Sequence, residues 1–311
     1  MLDRQQLDQF HRDGLLVLRG VFAADELHAL QQAAEAVQQD ALAGRGAGHS
    51  YRQVDGDRQY FRTDGVLWRQ HTAFRIATVH PGLLAAVGQC LGHPFMPVND
   101  SLVVKLPRSG VAIPWHQDAP YEGPAGRPAT FGIPNFTCDI YLDAATIRNG
   151  CLYALPSRHL VGHVDVERFD EQALFHHPDA VALELAPGDV LLHAISAPHG
   201  SKANASDELR RVLYLHYMAR EVLEALYPAW VGSKRGFAPY DLRAVAAMVD
   251  ERHQAGLAGP ETASVALIPD GLVFTGEPTS PPRHWQALAA ALTPDQVHAA
   301  KLLAAKGVVR R

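Results

Sequence analysis

The 311-residue chain predicts a mainly β fold, a double-sheet jelly roll or small barrel with helices packed at both ends. Three observations predict it. From about residue 95 to 220, short runs rich in β-branched and aromatic residues recur between proline and glycine punctuation, a spacing typical of closed or double-sheet β architectures. Before and after that stretch the texture is that of good helix formers. Hydrophobic residues make up 47% and charged residues 20%, enough for a large core. We therefore read residues 1–311 as a single domain. It comprises a largely helical N-terminal, substrate-side region (1–94), a β core (95–220) and a helical tail (221–311).

The elements follow in order. Residues 1–40 read as helix, strand, helix, with the strand in the apolar run 15–18 after Gly14. Residues 41–58 are Gly-rich and polar, which predicts a mobile loop. Residues 81–91 read as a helix with Pro81 in its first turn and Gly92 just past its end. Strands are predicted at 101–106, 135–142, 151–155, 181–185, 189–193 and 209–217, and Asn149-Gly150 supplies a turn between two of them. Helices return at 240–254 and 284–306.

Charge and cysteines narrow the function classes. A net charge of -5 argues against a nucleic-acid surface, which needs clustered Lys and Arg. The polar, charged start and the lack of any run near 18 apolar residues predict no signal peptide or membrane span, hence a cytoplasmic protein. Cys90, Cys138 and Cys151 form no CxxC pair and predict no disulfide framework. Oligomeric state is not legible.

Among 17 histidines, His-x-Asp occurs four times, at His11, His116, His163 and His177. On a strand, residues two apart share a face, so His-x-Asp can offer an imidazole and a carboxylate to one divalent metal. His11 lies on a helix, where that spacing does not share a face. His177 and Asp179 flank a proline, and His163 sits in a polar loop. These three read as solvated surface. His116 follows the β-like run Ile113-Pro114-Trp115 and is the copy with strand context. A third ligand would come from a later strand, as His193 or His199. Arg210, eleven residues past His199, is a natural partner for a carboxylate co-substrate. If Arg210 points inward, so do Val212, Tyr214 and His216, while Arg211, Leu213, Leu215 and Tyr217 face covering helices.

Taken together, Trp115-His116-Gln117-Asp118, Leu142-Asp143, Asn149-Gly150-Cys151-Leu152, Leu155-Pro156-Ser157-Arg158-His159, Pro187-Gly188-Asp189-Val190, His199-Gly200-Ser201 and Arg210 resemble the phytanoyl-CoA dioxygenase family. Asp13-Gly14 and Gly20-Val21-Phe22 resemble its opening strand and helix, so the likeness spans roughly residues 8–220. It implies a cupin-like, double-stranded β-helix core and an Fe(II)/2-oxoglutarate-dependent dioxygenase. Such an enzyme hydroxylates a small molecule with O2 as co-substrate and releases succinate and CO2. The implied iron ligands are His116, Asp118 and His199. Arg210 would grip the distal carboxylate of 2-oxoglutarate beside Ser201. Gln117 would support the ligands or touch the co-substrate, Asn99 and Thr137 would make polar co-substrate contacts, and His193 would be structural. Asp118 stands where related halogenases carry a small residue, which favours hydroxylation. One departure is the corner Pro156-Ser157-Arg158-His159, where the family usually has Pro-Gly-Ser-His. The chain beyond residue 220 has no match.

Substrate contacts are expected from Tyr121, Arg127 and Phe136 near the barrel mouth, and from Arg62 and Trp68. The last two belong to a segment, 52–75, that mixes Arg52, Arg58, Arg62, Arg69 and Arg75 with Tyr60 and Phe61. Cations with aromatics suit an anionic or zwitterionic substrate, though Asp55, Asp57 and Asp64 equally suit a solvated surface. Two other readings share the triad: a cupin-like metal enzyme that does not use 2-oxoglutarate, and a non-catalytic ligand-binding jelly roll.

Overall fold

The computed structural model describes residues 1–54, 56–108, 110–118, 133–226, 242–277 and 285–302. The chain opens with the helix Arg4–Asp13, started by a reciprocal Asp3/Gln6 capping box and stopped by Gly14 in the left-handed conformation. Strands follow in chain order as β1 (Leu15–Leu18), β2 (His49–Val54), β3 (Asp57–Asp64), β4 (Phe95–Lys105), β5 (Ile113–His116) and β6 (Phe136–Tyr141). Then come β7 (Leu152–Ala154), β8 (Val181–Leu183), β9 (Val190–Ala194), β10 (His199–Ser201), β11 (Arg210–Ala219), β12 (Val265–Ile268) and β13 (Gly271–Phe274).

Among the described residues the strands form two antiparallel sheets. The larger runs β1-β9-β6-β11-β4, and the outer edge of β4 carries β3 at one end and β13 at the other. The smaller runs β5-β10-β7-β8. Alternation on β11 organises both faces. Leu213, Leu215 and Tyr217 join a core with Leu30 and Ala34 of helix Ala24–Leu42 and Leu84 and Val87 of helix Pro81–Leu91. Val212 instead joins Leu15, Tyr141 and Leu191 of the larger sheet against Trp115, Leu152 and Tyr153 of the smaller. Two sheets closing over a shared interior make a jelly roll, the predicted fold class.

Several expectations are corrected. Part of the predicted loop 41–58 is the β2–β3 hairpin, whose second strand gains order by pairing Arg62–Asp64 with Ser101–Val103. The N-terminal region thus contributes three strands to the larger sheet, and the tail contributes the β12–β13 hairpin. Asn149-Gly150 turns no hairpin, because β6 and β7 lie in different sheets. It forms a corner in which Gly150 has φ +82° and a Cβ there would collide with the Lys202 carbonyl. The helix expected at 284–306 is two, Trp285–Ala290 and Pro294–Leu302. Pro294 cannot continue a helix, and Thr293 and Gln296 cap the second one reciprocally. His11 is buried against Trp285, whose Nε1 donates to its Nδ1 at 3.2 Å, so it is a core histidine and not solvated surface. No helix among the described residues is long and apolar enough to cross a membrane.

Candidate metal centre and co-substrate pocket

Strand pairing brings the two histidines together. His116 ends β5, His199 begins β10, and the two are direct partners in the smaller sheet, with ring centroids 4.3 Å apart. Asp118 follows two residues later, held by its backbone N–H on the Ile195 carbonyl. Its Oδ1 lies 3.4 Å from His116 Nε2 and its Oδ2 3.8 Å from His199 Nε2. The three donor atoms lie within 4.8 Å of one another. Each imidazole is oriented by its other nitrogen: Nδ1 of His116 donates to Pro114 O at 2.7 Å, and Nδ1 of His199 to Ala197 O at 3.0 Å. A carbonyl can only accept, so in the neutral imidazoles that bind a metal both Nε2 lone pairs face the centre. Burial pushes the His199 pKa down to about 3. Burial also opposes the Asp118 charge, but His199, His116 and His193 outweigh it and hold the carboxyl well below its ordinary range. A neutral imidazole and an ionised carboxylate are the forms that bind a divalent metal, and this N,N,O donor set fits iron(II).

His193 stands beside the triad in a different role. Its Nδ1 lies 2.8 Å from Asp139 Oδ2, and both side chains are fully buried. Burial opposes its charge, yet Asp139 and Asp118 outweigh it and raise its pKa to about 10. Thr137 lines the cavity, but its hydroxyl donates to Asp139 Oδ1 at 2.8 Å.

Arg210 opens β11 and is 1% exposed, its guanidinium 5.7 Å from the centre of the Tyr141 ring. Its Nε and Nη2 have no hydrogen-bond acceptor among the described residues. Buried guanidinium hydrogens without acceptors are costly, and a carboxylate would accept from both. Ser201 lines the same cavity, as does Asn99, whose Oδ1 is buried without a partner among the described residues. Behind Arg210, the paired residue Lys105 is buried too, its Nζ donating to Val111 O at 2.7 Å and Lys202 O at 2.5 Å. Burial, and then the Arg210 charge, push the Lys105 pKa down to about 6.

The triad, Arg210, Ser201, Asn99 and Thr137 wall a cavity of about 320 Å³. A second groove of about 440 Å³ shares Arg52, Ile113 and His116 with it and runs on to Glu167 and Glu171. Not every expected residue is there. Gln117 turns away: its amide donates to Gly162 O and Ser196 O and accepts from Val164 N, so it tethers a loop and does not reach the co-substrate space. Phe136 is core, packed edge-on against Phe10 at 4.9 Å. Trp68 packs against the helical core, away from the cavity wall. Tyr121 and Arg127 lie outside the described residues. Arg62 is in the wall. Ser101 and Val103 also line it, and alternation along β4 from Asn99 is the signal that finds them.

A family model described as phytanoyl-CoA dioxygenase (PhyH) matches residues 10–212, well over half the chain. The chain belongs to the phytanoyl-CoA dioxygenase family. It is a non-haem iron- and 2-oxoglutarate-dependent oxygenase that acts on a small molecule. A curated relative, the methylphosphonate hydroxylase of Gimesia maris, is 28% identical over 243 residues, 77% of this chain and 90% of that protein. Solved structures agree on the fold. AviO1 from Streptomyces viridochromogenes has a TM-score of 0.54 at 26% identity, covering 70% of this chain and 96% of that one. EctD from S. alaskensis, solved with 2-oxoglutarate and 5-hydroxyectoine, has a TM-score of 0.57 at 24% identity, covering 71% and 77%.

Proposed function

We propose that this family member hydroxylates a small-molecule metabolite, with His116, Asp118 and His199 holding iron(II). Arg210 and Ser201 bind the distal carboxylate of 2-oxoglutarate, with Asn99 beside them. Bound iron supplies the activation of O2 that couples co-substrate decarboxylation to substrate oxidation. The chain's own residues do the positioning. The carbonyls of Pro114 and Ala197 orient the histidines, and Asp139 holds His193 beside Asp118. The observation that carries the reading is the deeply buried Arg210 fork on the same cavity wall as the triad, with Nε and Nη2 lacking acceptors among the described residues. A metal enzyme that ignores 2-oxoglutarate has no use for that fork. The methylphosphonate hydroxylase relative makes phosphonates sensible first substrates to try. We place the enzyme in the cytoplasm, a reading supported by three buried thiols, none in a disulfide.

Anaerobic addition of 2-oxoglutarate to the ferrous protein should produce the weak visible charge-transfer band of chelation. Arg210→Ala should raise the 2-oxoglutarate concentration needed for half-maximal band at least ~100-fold, the loss of a buried charge-assisted pair of about 3 kcal/mol. A band of unchanged midpoint in the variant would overturn the assignment of Arg210.

A further inference from the structure

Two cations in the cavity wall take no part in holding iron or 2-oxoglutarate. Arg52 reaches in from β2 and Arg62 from β3, the two strands of the hairpin at the edge of the larger sheet. Arg52 lies over the Phe61 ring, its Cζ 4.7 Å from the centroid, and its Nη1 donates to Ala112 O at 3.0 Å. Those contacts fix the guanidinium in place without neutralising it, and no carboxylate among the described residues pairs with it. Arg62 spends its Nε on Asp64 Oδ1 at 2.5 Å, which leaves the two terminal nitrogens of its fork for another acceptor.

Charge balance then decides what the wall suits. Asp118 is the one acidic side chain in the cavity wall among the described residues. Together with a dianionic 2-oxoglutarate it balances iron(II) and Arg210, so Arg52 remains uncompensated and Arg62 is compensated only by Asp64. A guanidinium drawn out of water without a counter-ion is unfavourable, and its planar fork matches the oxygens of a carboxylate, phosphonate or phosphate. Because Phe61 and Ala112 already hold Arg52, little side-chain freedom is lost when an anion arrives. The neighbouring groove has the opposite bias at its far end, where Glu167 and Glu171 would repel an anion. Volume sets the scale: about 320 Å³ shared with 2-oxoglutarate leaves room for a small head group.

Resting on the iron/2-oxoglutarate reading above, we infer that Arg52 and Arg62 form a receptor for an oxyanion head group on the primary substrate. The enzyme therefore oxidises small carboxylates, phosphonates or phosphate esters in preference to neutral molecules of the same size.

The test uses full-length protein loaded with nickel(II), which holds the site without turnover, and saturated with 2-oxoglutarate. Calorimetric titration with acetate, methylphosphonate and inorganic phosphate separates the oxyanion types, and acetamide is the neutral probe. At least one oxyanion should bind and acetamide should not. Arg52→Gln and Arg62→Gln should each weaken that binding at least ~10-fold, and Arg52→Lys should restore part of it by returning the charge without the fork. Arg69→Gln, whose side chain lies over Trp68 away from the wall, should bind as the parent does. Thermal melts check that each variant is folded. Equal binding of acetamide, unchanged oxyanion affinity in both glutamine variants, or no oxyanion binding in a protein whose ferrous form shows the 2-oxoglutarate band would overturn the inference. Absence of that band would instead overturn the co-substrate reading beneath it.

Discussion

At the scale of single residues, context outweighs type. Four copies of His-x-Asp are equivalent as strings, yet one lies where a β-strand ends beside another histidine. Ser157 is a second case. It occupies a left-handed conformation (φ +64°) at the corner where the family usually has glycine, and its N–H is held by Asp13 O at 2.9 Å. The corner keeps its shape, and the non-glycine residue bears the strain. Ser157→Gly should therefore stabilise the protein by about 0.5–1 kcal/mol. Chemical denaturation of the two proteins would show this as a higher midpoint with an unchanged slope. A lower midpoint would mean that the serine side chain contributes more than its backbone costs.

Strands and loops are joined at the site by groups that touch neither iron nor co-substrate. Lys105, near the end of β4, holds the carbonyl of Val111, ahead of β5, and that of Lys202, just after β10. It thereby ties together the two strands that carry His116 and His199. Its pKa is lowered to about 6 from an ordinary 10.5, so between those values the unfolded chain binds the extra proton. The sign follows: this group makes stability rise with pH across that window, by up to about 1.4 kcal/mol per pH unit. Lys105→Met should flatten the slope of unfolding free energy measured between pH 7 and 9. An identical slope in the variant would show that the buried amine is not the source.

For the whole molecule the same linkage continues with the same sign into acid. Burial lowers His80 to about 4 and His159 to about 3, from an ordinary 6.5. His80 caps the helix Pro81–Leu91 by accepting the Leu83 N–H at Nδ1, and His159 packs against Trp285 at 4.6 Å. Their neutral forms belong to the fold, so the stability they contribute is fully present above pH 6.5 and is lost as pH falls toward 4 and 3. Denaturant midpoints measured from pH 7.5 down to 4.5 should fall steadily, and His159→Gln should reduce that fall. These histidines join the N-terminal helices and the tail to the β core, so acid should loosen all three together.

Sequence alone was enough for the fold class, the helix at 81–91 and the inward parity of Arg210, Tyr214 and His216. Each of these is written in local periodicity, whereas spacing left His193 and His199 open as the third ligand and the family resemblance pointed to His199. Tertiary structure decided the rest. Residues 41–58 read as loop because an edge hairpin draws its order from the sheet it joins and not from its own composition. Gln117 turned from the site, and Phe136 entered the core, because their orientation depends on which sheet face or loop backbone meets them. Arg52 and Arg62 stood in a charged stretch balanced by aspartates. Only the pairing of β3 with β4 placed their guanidinium groups in one cavity wall with the triad, since long-range strand pairing sets which side chains share a cavity.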